Sequence, residues 1–376
     1  MFSVGFVSRA GEIDAALWEA CFPPPLEGRW WYETLERSRL EDQFRFLYAV
    51  IRDADAPIGI APLFVMDFPL AVVAPEGLKP LLPLIGALAH PKTLFVGSPF
   101  ADEGTVGLLP GIERRSALIA LQEALIAKAE ELDAPLVVWK DVPPSAAEDV
   151  AGLAGMFRVE SFPGTIAELG GDKAAYLASL KGSRRHNLLK KVRRSVSHLA
   201  VRSEILQRPE PRALDEIFPL FMQTYERSST RFERLPREFF AQIAEAPCAR
   251  FIVLREDKSG EVIAFMLCFE LGAKLINKFV GMDYGRPKEW QLHFRLWDTV
   301  VDYALSRGVH AVQSGQTGYA AKIETGHRLV PLASFCRHRN PIVHKLAAMA
   351  ARRIDWASLD DDLARHVRAH PEVISR

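Results

Sequence analysis

Short apolar runs of strand length alternate along the chain with longer runs of helical periodicity, and the order in which they come repeats once. In the first half, Phe2 to Val7 reads as a strand, and Ile13, Trp18 and Phe22 lead a helix. After the turn Pro23-Pro24-Pro25, the residues Trp30, Trp31 and Tyr32 mark an aromatic helix. Phe44 to Arg52 and Ile58 to Met66 are β-rich runs joined by the polar turn Asp53 to Pro57, which predicts a hairpin. Leu94 to Gly97 is a further strand, Arg114 to Leu132 has the apolar spacing of a helix, and Pro135 to Lys140 is a short strand.

The second half follows the same order. Arg250 to Arg255 and Val262 to Glu270 form a hairpin around Glu256 to Gly260. Leu275 to Gly281 then reads as a strand, Leu292 to Arg307 as a helix and Val309 to Gln313 as a strand. The two units lie roughly 175 residues apart, a spacing that predicts duplication of one α/β unit. The expected fold class is α/β (α+β), with each copy a mixed, mostly antiparallel sheet flanked by helices. The expected boundaries are 1–160, 161–340 and a helical tail at 341–376. Val142 to Glu160 reads as a linker, and Ser161 to Leu169 as the first strand of the second half.

Composition narrows the partners. A chain of 376 residues is long for one core. Its 47 basic and 47 acidic side chains cancel, so no global field draws nucleic acid, and DNA is not an expected partner. Cys21, Cys248, Cys268 and Cys336 are far apart and form no CxxC pair, which signals neither zinc nor a disulfide framework. A reducing cytoplasm is the expected setting. The N-terminus lacks a basic region followed by an apolar one, so no signal peptide is read there. Phe68 to His90 is apolar, but Pro69, Pro75, Pro80 and Pro83 break it and Glu76 and Lys79 interrupt it. It reads as a surface facing a membrane or acyl chain, or as a segment buried against the second domain, not as a spanning helix.

Charge is concentrated in one place. Asp172 to Leu199 carries Lys181, Arg184, Arg185, Lys190, Lys191, Arg193 and Arg194 with no acid among them, over a stripe of Leu177, Leu180, Leu188, Val192 and Leu199. Such a face is either solvated or a phosphate binder, since Arg forks and Lys point charges suit phosphate oxygens. Coenzyme A, a transfer RNA and a phospholipid surface would each satisfy it. The run Ile342 to Arg353 predicts an amphipathic tail helix that docks on the protein or lies on an anionic membrane.

The chemistry-bearing polar residues gather between Lys274 and Pro341. No GxSxG elbow, HExxH pair, GxxxxGK[ST] loop or GxGxxG turn is present, which argues against common hydrolases, zinc proteases, nucleotide triphosphatases and Rossmann oxidoreductases. His293 at a helix start suits a general base. Tyr284 and Tyr319 suit proton donors to a leaving thiolate, Lys322 suits an anion, and Asp283 suits orienting a base or receiving a proton. His327, His338 and His344 are too irregularly placed for a metal site, and none is expected.

The helix DKAAYLASLKGSRRHNLLKKVRRS, the hairpin RFIVLRED…EVIAFMLCFE, the segment NKFVGMDYGRPKEWQLHFRLWDTVVDYALSRG and the ending AVQSGQTGYAAKIETGHRLVP carry a family likeness. Together they resemble the FemAB-like branch of the GNAT (acyl-CoA N-acyltransferase) superfamily, in the group labelled peptidoglycan biosynthesis/recognition. Leu292-His293-Phe294, Gly315-Gln316, Gly318 and Lys322 are the positions that match its motifs. Arg295 stands where the family usually has Glu. The single-domain pyrophosphate loop is not evident, GLLPGIERRSAL being its nearest trace. The resemblance implies tandem GNAT-like domains, with the second catalytic and the first degenerate. It further implies acyl transfer from a thioester such as acyl-CoA, with no tightly bound cofactor, to a primary amine. A long-chain fatty acyl group and a sphingoid base or other amino lipid are favoured, as in bacterial ceramide synthases. The implied donor-binding and substrate-binding positions are Gln316, Lys322, Gly318 and Phe294, to which the basic run adds Arg184, Arg185, Asn187, Lys190, Lys191 and Arg194 as candidates. Transfer from aminoacyl-tRNA to a peptide or cell-wall precursor is one alternative, and a non-catalytic module binding an anionic ligand or lipid is another. Peripheral contact with an anionic membrane fits the first reading.

Overall fold

The strands Ala56–Asp67 and Val262–Leu271 are buried along most of their length instead of alternately, because both faces of their sheets are covered. A computed structural model describes residues 2–69, 90–228 and 234–370. The first half runs β1 (Phe2–Val7), α1 (Ala15–Cys21), α2 (Arg29–Glu36), β2 (Arg45–Asp53), β3 (Ala56–Asp67) and β4 (Lys92–Val96). It continues through β5 (Gly107–Leu108), α3 (Arg114–Glu131), β6 (Leu136–Val142), α4 (Pro144–Ala151) and β7 (Phe157–Glu160). Then come β8 (Gly164–Glu168), α5 (Lys173–Ser179), α6 (Gly182–His198), β9 (Val201–Leu206), α7 (Pro211–Arg227) and α8 (Arg237–Ala244). The hairpin and crossover of the second half are β10 (Ala249–Glu256), β11 (Val262–Leu271), β12 (Lys274–Met282), α9 (Leu292–Ser306) and β13 (Ala311–Ser314). The chain ends through α10 (Tyr319–Glu324), β14 (Arg328–Val330), β15 (Ala333–His338), α11 (Pro341–Ala351) and α12 (Asp361–Ala369).

Two mixed sheets result, with orders β1-β2-β3-β4-β6-β15-β7 and β9-β10-β11-β12-β13-β8-β14, and β5 adds beside β3. Position by position they are the same sheet, so the predicted duplication is present. One strand of the second half also crosses into the first sheet. The sixth place of the first sheet is taken by β15, from the end of the chain, and that of the second by β8, which directly follows the first half. Residue 160 is therefore a boundary in sequence, while the first sheet draws a strand from residues 333–338.

The sheets face each other across one aromatic core. Trp31 lies 5.5 Å from Phe269 and 6.0 Å from Phe239, and Phe100 lies 6.4 Å from Phe239. Helices α3 and α4 cover the outer face of the first sheet, and α5, α6 and α9 that of the second. The interface between the halves is thus hydrophobic core, which holds them as one body.

Three expectations change. Val142 to Glu160 is not a linker: it forms α4 and β7, with Val150 and Leu153 buried beneath. The basic run breaks into α5 and α6 because Leu180 and Lys181 are extended and Leu180 turns into the core. Of the apolar run 68–90, residues 70–89 lie outside the described residues.

Candidate functional site

Strands β12 and β13 are parallel and pair over four positions only, from Lys274 with Ala311 to Asn277 with Ser314. Beyond that point β12 runs on to Met282, while the other chain turns away through Gly315 to Gly318. Parting parallel strands leave a notch at their C-terminal ends, the place where α/β sheets hold ligands. The ladder between β11 and β12 skips one residue there, pairing Leu267 with Phe279 and Cys268 with Asn277. Lys278 is therefore the bulged residue, and the bulge re-aims its side chain. That side chain is 2% exposed, and its ammonium lies 3.2 Å from both Glu27 and Asp102 of the first half.

Asp102 arrives on the loop that follows β4. One carboxylate oxygen receives Lys278, and the other accepts a hydrogen bond from Gln313 Nε2 at 3.1 Å. A side chain at position 315 would stand 3.2 Å from Asp102, which explains the glycine there. Burial alone would raise the Asp102 pKa, but Lys278, Gln313 and Lys322 outweigh it and hold the carboxyl below its ordinary value. Burial opposes the charge on Lys278 as well, yet Asp102 and Glu27 keep it protonated. Neighbouring Glu103 is shifted the other way, upward, by burial and by Asp102, against the pull of Lys274. Lys274 in turn donates to Gln313 Oε1 at 3.2 Å.

Lys322 projects from α10, whose first residue follows Gly318 at φ 64°, a left-handed turn that suits glycine. Its ammonium donates to the Gly315 carbonyl at 2.8 Å. Burial lowers its pKa to about 8, against the attraction of Asp102. Lys322 also acts on His293, at the start of α9, whose pKa is lowered to about 4 by burial, Lys322 and Lys191. It is a neutral imidazole at neutral pH. Behind them His327 hydrogen-bonds Ser314 Oγ at 2.9 Å and Thr325 Oγ1 at 3.0 Å, with burial and Lys322 lowering its pKa to about 3. Trp297 packs 4.7 Å from that ring and donates to Tyr176, whose hydroxyl donates to the Thr325 carbonyl at 2.7 Å. The tail braces α10 from outside: Asp362 accepts from the Ala320 amide at 3.3 Å, and Leu363 is buried with Tyr319.

The fold thus brings together His293, Lys322 and Gly318. Gln316 pins the loop by donating to the Phe162 carbonyl at 2.8 Å. Phe294 packs under Lys191, whose ammonium is 3.9 Å from the ring and ion-paired to Glu324. Other residues lie apart. Tyr319 is fully buried and its hydroxyl donates to the Pro163 carbonyl at 2.8 Å, so it is a strut of the loop with no proton to offer. Asp283 is ion-paired to Arg286 at 2.7 Å. Tyr284 is turned to α7, 3.4 Å from the Thr224 hydroxyl with Arg227 over its ring. On α6, Arg185, Asn187 and Lys190 are exposed, Arg184 is half-buried, and Arg194 reaches Glu289 at 3.6 Å. Sequence reasoning missed Lys278, Gln313, Glu27 and Asp102. The available signals were a lysine inside the apolar strand LINKFVGM and an acidic pair, Asp102-Glu103, in the loop after a strand.

Two copies of one mixed sheet, each with a short parallel pair, define a tandem GNAT fold. The solved structure of FemX overlays with a TM-score of 0.60 at 14% identity, covering 92% of this chain and 100% of that one. A tandem GNAT protein from the clavulanic acid biosynthesis pathway gives 0.52 at 13% identity, covering 90% and 99%. A conserved protein of unknown function from Bacteroides thetaiotaomicron gives 0.53 at 13%, covering 89% and 99%. Curated proteins provide no sequence match. Residues 168–353 match the FemAB-like family, described as peptidoglycan biosynthesis/recognition, so this part of the chain is FemAB-like. At family level this supports a transferase of acyl or aminoacyl groups.

Proposed function

We propose that the notch between β12 and β13 transfers an acyl group from a thioester, coenzyme A being the favoured carrier, to the primary amine of a long-chain acceptor. The observation that carries this reading is that Lys322, pKa about 8, acts electrostatically on both the ionised Asp102 and the neutral His293. The amine nitrogen attacks the thioester carbon, the C–N bond forms to give a tetrahedral adduct, and collapse of the adduct breaks the C–S bond. His293 is in the form that accepts the proton the amine sheds, and the tetrahedral adduct is a stronger acid than a free ammonium. Lys322 stabilises the oxyanion and supplies a proton to the leaving sulfur, whose ordinary pKa of about 8.5 it matches. Asp102, held by Lys278 and Gln313, keeps Lys322 charged and placed.

Purified protein is incubated with long-chain acyl-CoA and a sphingoid base, with thiol release and N-acyl product followed by mass spectrometry. Both are expected, and Lys322→Ala is expected to lower kcat by about 10²–10³-fold. The second reading, transfer from aminoacyl-tRNA, is favoured by the overlay on FemX and by the exposed cations of α6. If no acyl-CoA chain length releases thiol while ribonuclease-sensitive transfer to a peptide amine appears, that reading replaces the first.

A further inference from the structure

Helix α11 is turned inside out. It packs on β7 and β15 through His344, Ala347, Ala348 and Ala351, with the His344 ring 5.0 Å from Phe157. Its large apolar side chains face away: Ile342 is 69% exposed, Leu346 61%, Met349 51% and Val343 43%. Positions 342, 346 and 349 form one stripe at helical spacing. A helix that only docked on its own protein would bury these and expose the alanines. The charge is equally one-sided. From residue 333 to 354 the chain carries Arg337, Arg339, Lys345, Arg352 and Arg353 and no acid, in a molecule of zero net charge. Arg339 is paired to Asp133 at 3.1 Å, and Lys345, Arg352 and Arg353 make no ion pair among the described residues. Lys345 and Arg352 lie along one flank of the apolar stripe, and Arg353 lies at its end.

We infer that α11 is a membrane-surface helix that seats on an anionic lipid leaflet, its apolar stripe entering the headgroup boundary while the flanking cations meet lipid phosphates. The occupant is a bilayer and not a second copy of this chain, because a face rimmed by unpaired cations repels its own image. The inference does not depend on which acyl group the notch transfers.

The test is flotation of the full chain with vesicles of phosphatidylcholine alone or mixed with phosphatidylglycerol. Binding is expected to the mixed vesicles and to fall with salt. The exposed double substitution L346E/M349E should reduce it by about tenfold or more. Neutralising the cations with K345Q/R352Q/R353Q should lower it about a hundredfold and flatten its salt dependence. I119E, a charge placed at an exposed apolar site on α3, should leave it unchanged. All of these sites are exposed, and thermal unfolding checks that the variants fold. Equal binding by L346E/M349E and the parent overturns the inference. So does a dimer, detected by light scattering without lipid, that L346E/M349E dissolves.

Discussion

The pair β4–β6 and the pair β12–β13 are one construction made twice, parallel over four positions in each case. The two notches have opposite fates. In the first half, residues 97–104 fold back across the gap, and Gly104 donates to the Asp141 carbonyl of β6 at 2.9 Å. Lys140 reaches the Ala101 carbonyl at 3.1 Å, so the gap is closed by backbone. In the second half β12 continues, its bulge sets Lys278 into the gap, and charged side chains line it. The segment that plugs the first notch is the one that delivers Asp102 to the second. One copy is backbone-sealed and supplies carboxylates; the other gathers the cations and the imidazole.

The comparison can be broken most forcefully at Lys278. Lys278→Ala leaves Asp102 and Glu27 buried without their cation and should cost about 3–5 kcal/mol in chemical denaturation. The cation of the first notch, Lys140, is more exposed, and Lys140→Ala should cost about 1 kcal/mol. Equal losses would mean the notches are energetically alike. Next comes the plug. A Cβ at Gly104 would lie 1.8 Å from the Lys140 carbonyl oxygen, so Gly104→Ala should cost about 1–3 kcal/mol and disturb activity only through Asp102. A variant with unchanged melting would show that the plug does not hold.

Acid sensitivity should belong to the second notch. His327 is 5% exposed and titrates near 3 when folded, against about 6.5 unfolded. Between those values the unfolded chain binds the extra proton. Stability therefore falls as pH drops below about 6.5, by up to about 1.4 kcal/mol per unit. His327→Gln should flatten that slope in denaturation curves taken from pH 7 to 4. The smallest effect sharpens the role of Lys322. If its ammonium must be charged and give up a proton, activity declines above pH 8, and Lys322→Arg, which stays charged and cannot release that proton, removes the limb and lowers kcat. A limb that stays in place would assign it to another group.

Much of the fold was legible because strand and helix periods are local. The hairpins, the crossover helices Arg114–Glu131 and Leu292–Ser306 and their repetition appear within a few residues of their observed ends. The site was legible by half. His293 and Lys322 lie in polar junctions after apolar runs, where scaffolds present chemistry. Tyr319 read the same way, and only packing shows that its hydroxyl is spent on Pro163. Asp102 and Lys278 are 3.2 Å apart in space, and 176 positions separate them in the chain, beyond any local pattern.

The sequence by itself therefore determined the elements, their duplication and the half that bears the imidazole and the lysine, because side-chain periodicity and turn chemistry act over a few residues. Folding in three dimensions decided the rest. It placed β15 of the second half in the first sheet, sealed one notch with the first half's own loop and carried that loop's carboxylate to the bulged lysine of the other. Those outcomes rest on long-range pairing and on a buried ion pair whose partners must be brought together before either can be desolvated.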